Sequence, residues 1–153
     1  MTASLSQRLD EHLHSHLDCA RLLEKTLHEE HEALLANDVG ALERITQTKS
    51  AASERLDALG NTLQRLRGEA GAPSIAALLV QADAGGAAAL WQQLIDTARR
   101  CADANRDNAI LLEGRSQQIR NALRMVRGEA ATDTYGRSGD THSGFGPRSL
   151  GSA

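Results

Sequence analysis

Aromatic side chains are almost missing from this sequence: one Trp, one Tyr and one Phe make up 2% of its 153 residues. Large rings dominate the buried area of ordinary cores, so a core here must be built from Leu, Ile, Val and Ala. No apolar run approaches the ~20 residues that span a bilayer, and no membrane insertion is expected. Met1 to Leu9 shows no basic region followed by an apolar stretch, so no signal peptide is expected and the expected compartment is the cytoplasm. Only two cysteines occur, Cys19 and Cys101, and in that compartment they read as reduced thiols. Neither sign of charge dominates. A net charge of −3 is too mild for a nucleic-acid binder, which would need a basic face.

Motifs of catalysis are equally scarce. No Gly-x-Ser-x-Gly turn is present, no Cys-x-x-Cys, and no Gly-rich loop ending in Gly-Lys-Ser/Thr. His12 and His16 are four apart and His28 and His31 three apart, spacings that can hold a metal on one helix face. Yet His28-Glu29-Glu30-His31 brings its second histidine one residue too early for the zinc-protease motif. One Glu-x-x-His unit, Glu11 to His14, is half of what a di-metal bundle requires. The expectation is a non-enzyme without cofactor or metal.

What remains is abundant Leu and Ala with Arg, Glu and Gln, the better helix formers. A first helix is expected over Leu5 to Ala36, where Leu9, Leu13, His16, Ala20, Leu23, Leu27, Glu30 and Leu34 alternate spacings of four and three. Leu17, Leu22 and Leu35 widen that stripe. Asn37-Asp38-Val39-Gly40 breaks it and supplies a capping side chain for a tight helix–helix turn. The second helix is expected over Val39 to Arg67, with Leu42, Ile45, Lys49, Ala52, Leu56, Leu59, Leu63 and Leu66 as its seam. Lys49 is its one polar member, with a stem long enough to lie along the seam and keep its charge in water. Gly68, Gly71 and Pro73 end it.

A short connector helix is expected within Ser74 to Asp83, contacting through Ile75, Leu78, Leu79 and Val80, and Gly85-Gly86 breaks it. The last helix is expected over Ala87 to Arg127, about 60 Å at 1.5 Å per residue. Its seam reads Trp91, Leu94, Ala98, Cys101, Asn105, Asn108, Leu112, Arg115, Ile119, Ala122 and Val126. Asn105 and Asn108 in that seam either set register in a long bundle or mark a functional surface. The first helix is biased acidic (Glu24, Glu29, Glu30, Glu32) and the last basic (Arg99, Arg100, Arg106, Arg120, Arg124, Arg127), which favours their apposition. The last helix is also longer than the hairpin. Its end, with Ile119, Leu123 and Val126, is expected to leave an apolar face uncovered. From Glu129 to Ala153 the composition turns to Gly, Ser, Thr and Asp, which reads as a flexible tail carrying Tyr135 and Phe145. The expected fold is therefore all-α: an elongated antiparallel bundle of three long helices plus a connector over residues 1–128, then a disordered tail over 129–153.

Leu27, Glu30, Leu34, Asp38, Leu42, Ile45, Lys49, Leu56, Leu59, Leu66 and Gly68, taken in order, resemble the front half of the FlgN-type flagellar export chaperones. Trp91, Leu94, Cys101, Asn105 and Asn108 are similar to that family's second block, and Thr134-Tyr135-Gly136 with Gly139 to its tail signature. Ala109 departs from the pattern, which has Gly after the second Asn. The resemblance implies a cytoplasmic chaperone that masks the helical C-terminal ends of hook–filament junction proteins, prevents their aggregation and delivers them to the export gate's cytoplasmic domain. Carried onto this chain, the client site becomes Asn105, Asn108, Leu112, Ile119, Leu123 and Val126, and Tyr135 the contact with the gate. The alternative from composition and seams alone is a coiled-coil adaptor or self-assembling rod. A metal-binding bundle using His12, His16, His28 or His31 stands third.

Overall fold

Ser4 starts the first helix by a reciprocal cap: its hydroxyl accepts from the Gln7 N–H at 3.2 Å, and the Gln7 side chain accepts from the Ser4 N–H at 3.0 Å. The computed structural model describes residues 3–82 and 85–128. Among these it forms four helices, α1 (Leu5–Ala36), α2 (Val39–Glu69), α3 (Ile75–Gln81) and α4 (Ala87–Val126), with no strand among the described residues. By internal contacts the chain divides into two units, Met1–Leu112 and Glu113–Ala153. Asp83, Tyr135 and the whole segment 129–153 lie outside the described residues.

The α1–α2 turn is made by two residues with separate tasks. Asn37 takes the left-handed conformation at φ 56°, which Asn tolerates better than most side chains. Asp38 then caps α2, its Oδ1 accepting from the Ala41 N–H at 3.0 Å. At the far end α2 runs to Glu69, two residues beyond the expected Arg67. Gly68 is accommodated in the last turn because the left-handed stop comes later, at Gly71 with φ +66°. The Arg67 guanidinium holds the exit by donating to the carbonyls of Ala72 and Pro73, each at 3.3 Å. Ser74 caps α3. Gly128 at φ +74° follows α4.

Within the first unit the pairings fix helix direction. Arg8 with Glu69, Cys19 with the Ala52 carbonyl and Glu30 with Lys49 run α2 antiparallel to α1. Arg21 with Gln93, Glu24 with Arg100 and Leu27 with Asn108 run α4 parallel to α1. Leu9, Leu13, Leu17, Ala20, Leu63, Leu66, Leu78, Ala87 and Leu94 form the aliphatic core that scarce aromatics demand. Leu78 of α3 is fully buried in it. Val80, expected among the contacts of α3, is exposed instead, since a seven-residue helix has one face to bury. Leu17 joins the core as expected, but Leu22 and Leu35 are exposed, so the α1 stripe is narrower than its leucine content suggests.

The seam of α4 also needs correction. Leu94, Thr97, Cys101 and Asn108 are its buried residues after Ala87, with Ala104 and Leu111 partly buried. Ala98, Asn105 and Leu112 are exposed. The row that packs therefore lies one residue earlier than expected at three of its steps. Thr97 can occupy it because its hydroxyl donates to the Gln93 carbonyl at 2.8 Å and leaves no unpaired polar group.

Candidate functional site

Charged residues at seam positions cost free energy unless they find partners. In the first unit they do. The Lys49 ammonium of α2 donates to both carboxylate oxygens of Glu30 on α1, at 3.1 and 3.2 Å. Only 29% of the Lys49 side chain and 12% of the Glu30 side chain remain exposed. Lys49 thus meets a carboxylate within the bundle, where snorkelling into water was expected. Asn108 of α4 completes the cluster. Its amide donates to the Leu27 carbonyl and to Glu30 Oε1, both at 2.9 Å, and its oxygen lies 3.1 Å from His31 Nδ1. With the amide oriented this way, His31 carries its proton on Nδ1 and donates. Asn108 is 3% exposed with both ends satisfied, so one side chain ties α4 to α1 and, through Glu30, to α2. A buried polar network of this kind sets register, because any slip along the seam leaves its groups unpaired.

Around the cluster lies a groove of about 190 Å³ lined by Glu30 and Leu34 from α1, Leu42, Thr46 and Lys49 from α2, and Asn105, Asn108, Ala109 and Leu112 from α4. A neighbouring groove of about 310 Å³ is lined by His16, Ala20 and Leu23 of α1, Leu56 of α2, and Trp91, Leu94, Ile95, Ala98 and Cys101 of α4. A larger and more open depression, about 540 Å³, is lined by the hairpin alone, with Lys25, His28, Glu29, Ala33, Ala41 and Ile45 among its residues. It carries no polar cluster comparable to Glu30–Lys49–Asn108.

The expected site residues thus fall into two groups. Asn105, Asn108 and Leu112 line the groove of the first unit; Asn105 and Leu112 are exposed and Asn108 is internal. Ile119, Leu123 and Val126 belong to the second unit, on one face of α4, and are 61%, 48% and 85% exposed. Tyr135 lies outside the described residues. Glu30 and Lys49 were legible as seam positions and as members of the family pattern, but not as a pair. Opposite charges at seam positions on the two arms of one hairpin were the available signal of a pair.

Elsewhere the polar groups serve the scaffold. Of the opposite-charge contacts expected between α1 and α4, Glu24 with Arg100 forms, at 2.9 Å. The Arg100 guanidinium holds the Glu24 carboxyl below its ordinary range, mainly by direct hydrogen bonding. Glu29 instead lies 3.8 Å from Lys25 on its own helix. His12 and His16 meet edge to face with ring centroids 5.5 Å apart. Burial lowers both pKa values, and for His16 the neighbouring His12 adds to it. Buried Cys19 and Cys101 are free thiols whose pKa values burial raises, which makes them poor nucleophiles. Among the described residues no group of three or more His, Cys, Asp or Glu side chains is placed to hold a metal ion. No described helix is long and apolar enough to cross a membrane.

A family model described as FlgN protein matches residues 1–143 of the chain. No curated protein and no solved structure gives a significant match.

Proposed function

This chain belongs to the FlgN protein family of flagellar export chaperones, and from that premise we propose that it binds the helical C-terminal ends of hook–filament junction proteins in the cytoplasm. In this reading it keeps them from aggregating and delivers them to the cytoplasmic domain of the export gate. The observation that carries the reading is the exposed face of Ile119, Leu123 and Val126 on the last part of α4. Large aliphatic side chains left in water on one helix face are the docking half of a helix-in-groove contact. Burying such side chains fully contributes about 1.5–3 kcal/mol each, less the cost of ordering the partner.

Within the first unit, Asn105 and Leu112 are proposed as further client contacts, being exposed on its groove. Asn108 is proposed to act from inside, by holding the helices that shape that groove. Tyr135 is proposed to meet the export gate, on the strength of the family's tail signature. No catalytic step belongs to this reading, and the energy for client release comes from the export machinery.

Size exclusion with light scattering on the full chain and a hook–filament junction protein tests the proposal. A discrete complex is expected, lost when the client's C-terminal helix is deleted and lost again with Leu123→Asp/Val126→Asp at unchanged helical circular dichroism. Undiminished binding by the folded double variant removes this face from the site. A stable homo-oligomer that ignores the junction protein favours the coiled-coil adaptor. In cells, Tyr135→Ala is expected to keep client binding and lower secretion of the junction protein; unchanged secretion removes Tyr135 from the mechanism.

A further inference from the structure

The exposed face of the second unit has a charged border with the same period as its apolar row. Along α4 the row steps from the polar Ser116 through the apolar Ile119, Leu123 and Val126. One residue after each comes Gln117, Arg120, Arg124 and Arg127. In heptad terms Ile119 and Val126 occupy one core position, Ser116 and Leu123 the other, and Arg120 and Arg127 both fall at the flank position that borders the core. That flank faces a partner helix's own flank in either relative direction, and its charges set partner choice.

Among the described residues of the unit, 113–128, neutralisation is incomplete. Residues 113–128 contain four arginines and a single carboxylate, Glu113. That carboxylate is spent on Arg120, at 2.9 Å, while Arg124 donates to the neutral Asn121 side chain at 2.8 Å. The border therefore keeps a net positive charge beside an apolar row that carries no ring.

We infer that the face formed by Ile119, Leu123 and Val126 selects an amphipathic helix of a partner protein whose core-flanking positions carry Glu or Asp. The inference rests on the client-face reading and adds the partner's charge to it. Acidic flanks on the incoming helix pair with Arg120 and Arg127, and basic flanks are repelled, so the border discriminates more than it adds affinity. A basic amphipathic helix can also lie on an anionic membrane. The absence of Trp, Phe and Tyr from this apolar row favours a helix over a lipid surface.

Two dye-labelled synthetic helical peptides, identical in their Leu/Ile heptads but flanked by Glu in one and Lys in the other, would be titrated against the full chain. The Glu-flanked peptide is expected to bind about tenfold more tightly in low salt, with the difference shrinking in about 0.5 M salt. Arg120→Glu/Arg127→Glu is expected to invert the preference, and tighter binding of the Lys-flanked peptide is a gain that misfolding cannot produce. Equal binding of both peptides, abolished by Leu123→Asp/Val126→Asp, overturns the charge inference and leaves the client face standing. Equal binding that survives Leu123→Asp/Val126→Asp overturns both. Binding of neither peptide overturns the inference, and capture by phosphatidylglycerol vesicles in that case assigns the face to a lipid surface.

Discussion

Two stretches of α4 carry the same spacing of four and three and use it in opposite ways. In Ala87–Leu112 the repeat is occupied by Leu94, Thr97, Cys101 and Asn108, all buried. In Glu113–Val126 it is occupied by Ile119, Leu123 and Val126, all exposed. At the repeat positions themselves, the buried side chains are the less hydrophobic. A Thr, a Cys and an Asn pack there because each finds a partner: Thr97 the Gln93 carbonyl, Cys101 the Ala20 carbonyl and Asn108 the Leu27 carbonyl. Apolar character at the repeat positions therefore does not by itself decide which of them are buried. Polar groups that can be satisfied are buried cheaply, and aliphatic groups left exposed are available to a partner.

The most direct way to break this comparison is to truncate one leucine on each side of it. Leu13→Ala, at a fully buried position, is expected to lower unfolding free energy by about 2–5 kcal/mol. Leu123→Ala is expected to change it by less than about 0.5 kcal/mol while weakening client binding. Urea denaturation of both variants checks this, and a large stability loss at Leu123 would mean that its side chain packs in the free protein.

A second, smaller contrast lies between the two asparagines. Asn108→Ala removes one of the two donors to Glu30 Oε1, the side-chain donor to the Leu27 carbonyl and the partner of His31 Nδ1, at an expected cost of about 1–3 kcal/mol. Asn105→Ala, at an exposed position, is expected to cost less than about 0.5 kcal/mol. Equal losses in the same denaturation series would remove the distinction between an internal and a surface asparagine.

Acidification bears on two of the histidines. His12 and His16 have pKa values lowered by burial, so the unfolded chain takes up their protons first. Stability is then fully present above the unfolded value of about 6.5 and declines as pH falls from there towards the lowered folded values. The decline is expected to flatten in His12→Gln/His16→Gln. Melting curves across that window check it. An unchanged slope in the double variant would assign the decline to other groups.

The smallest expected effect concerns two glycines in helix interiors. A methyl group added at Gly60 or at Gly114 meets no atom within 4 Å, so Gly60→Ala and Gly114→Ala are each expected to stabilise by about 0.5–1 kcal/mol. A loss at either position would reveal a close contact in solution.

Much of the fold was legible because helix punctuation is local. Asn37 and Asp38 mark the hairpin turn, Ser74 the start of α3 and Gly128 the end of α4, and each acts within a few residues of itself. The departure at the end of α2 follows the same logic, since Gly68 and Gly71 both offered a stop and only the backbone could choose the later one. The exposed aliphatic row of the second unit was legible too, from spacing and residue type together. The polar cluster was not. Lys49 and Asn108 stood out as polar seam residues and Glu30 as part of the acidic bias of the first helix, but their union depends on contacts across 19 and 78 positions of chain.

By itself, then, the sequence determined four helices, their breaks and an aliphatic core, because capping, glycine stops and the 3.6-residue period are properties of neighbouring residues. Only the tertiary structure decided which of two adjacent rows on α4 is buried. A repeat of four and three leaves Thr97, Ala104 and Leu111 and the row of Ala98, Asn105 and Leu112 equally placed until α1 lies against one of them. Residue type alone did not separate the rows, each offering two apolar side chains and one polar. The hydrogen bond from Thr97 to its own helix lets the buried row close without an unpaired hydroxyl, while Asn108, common to both rows, meets its partners on α1 only once the helices have packed.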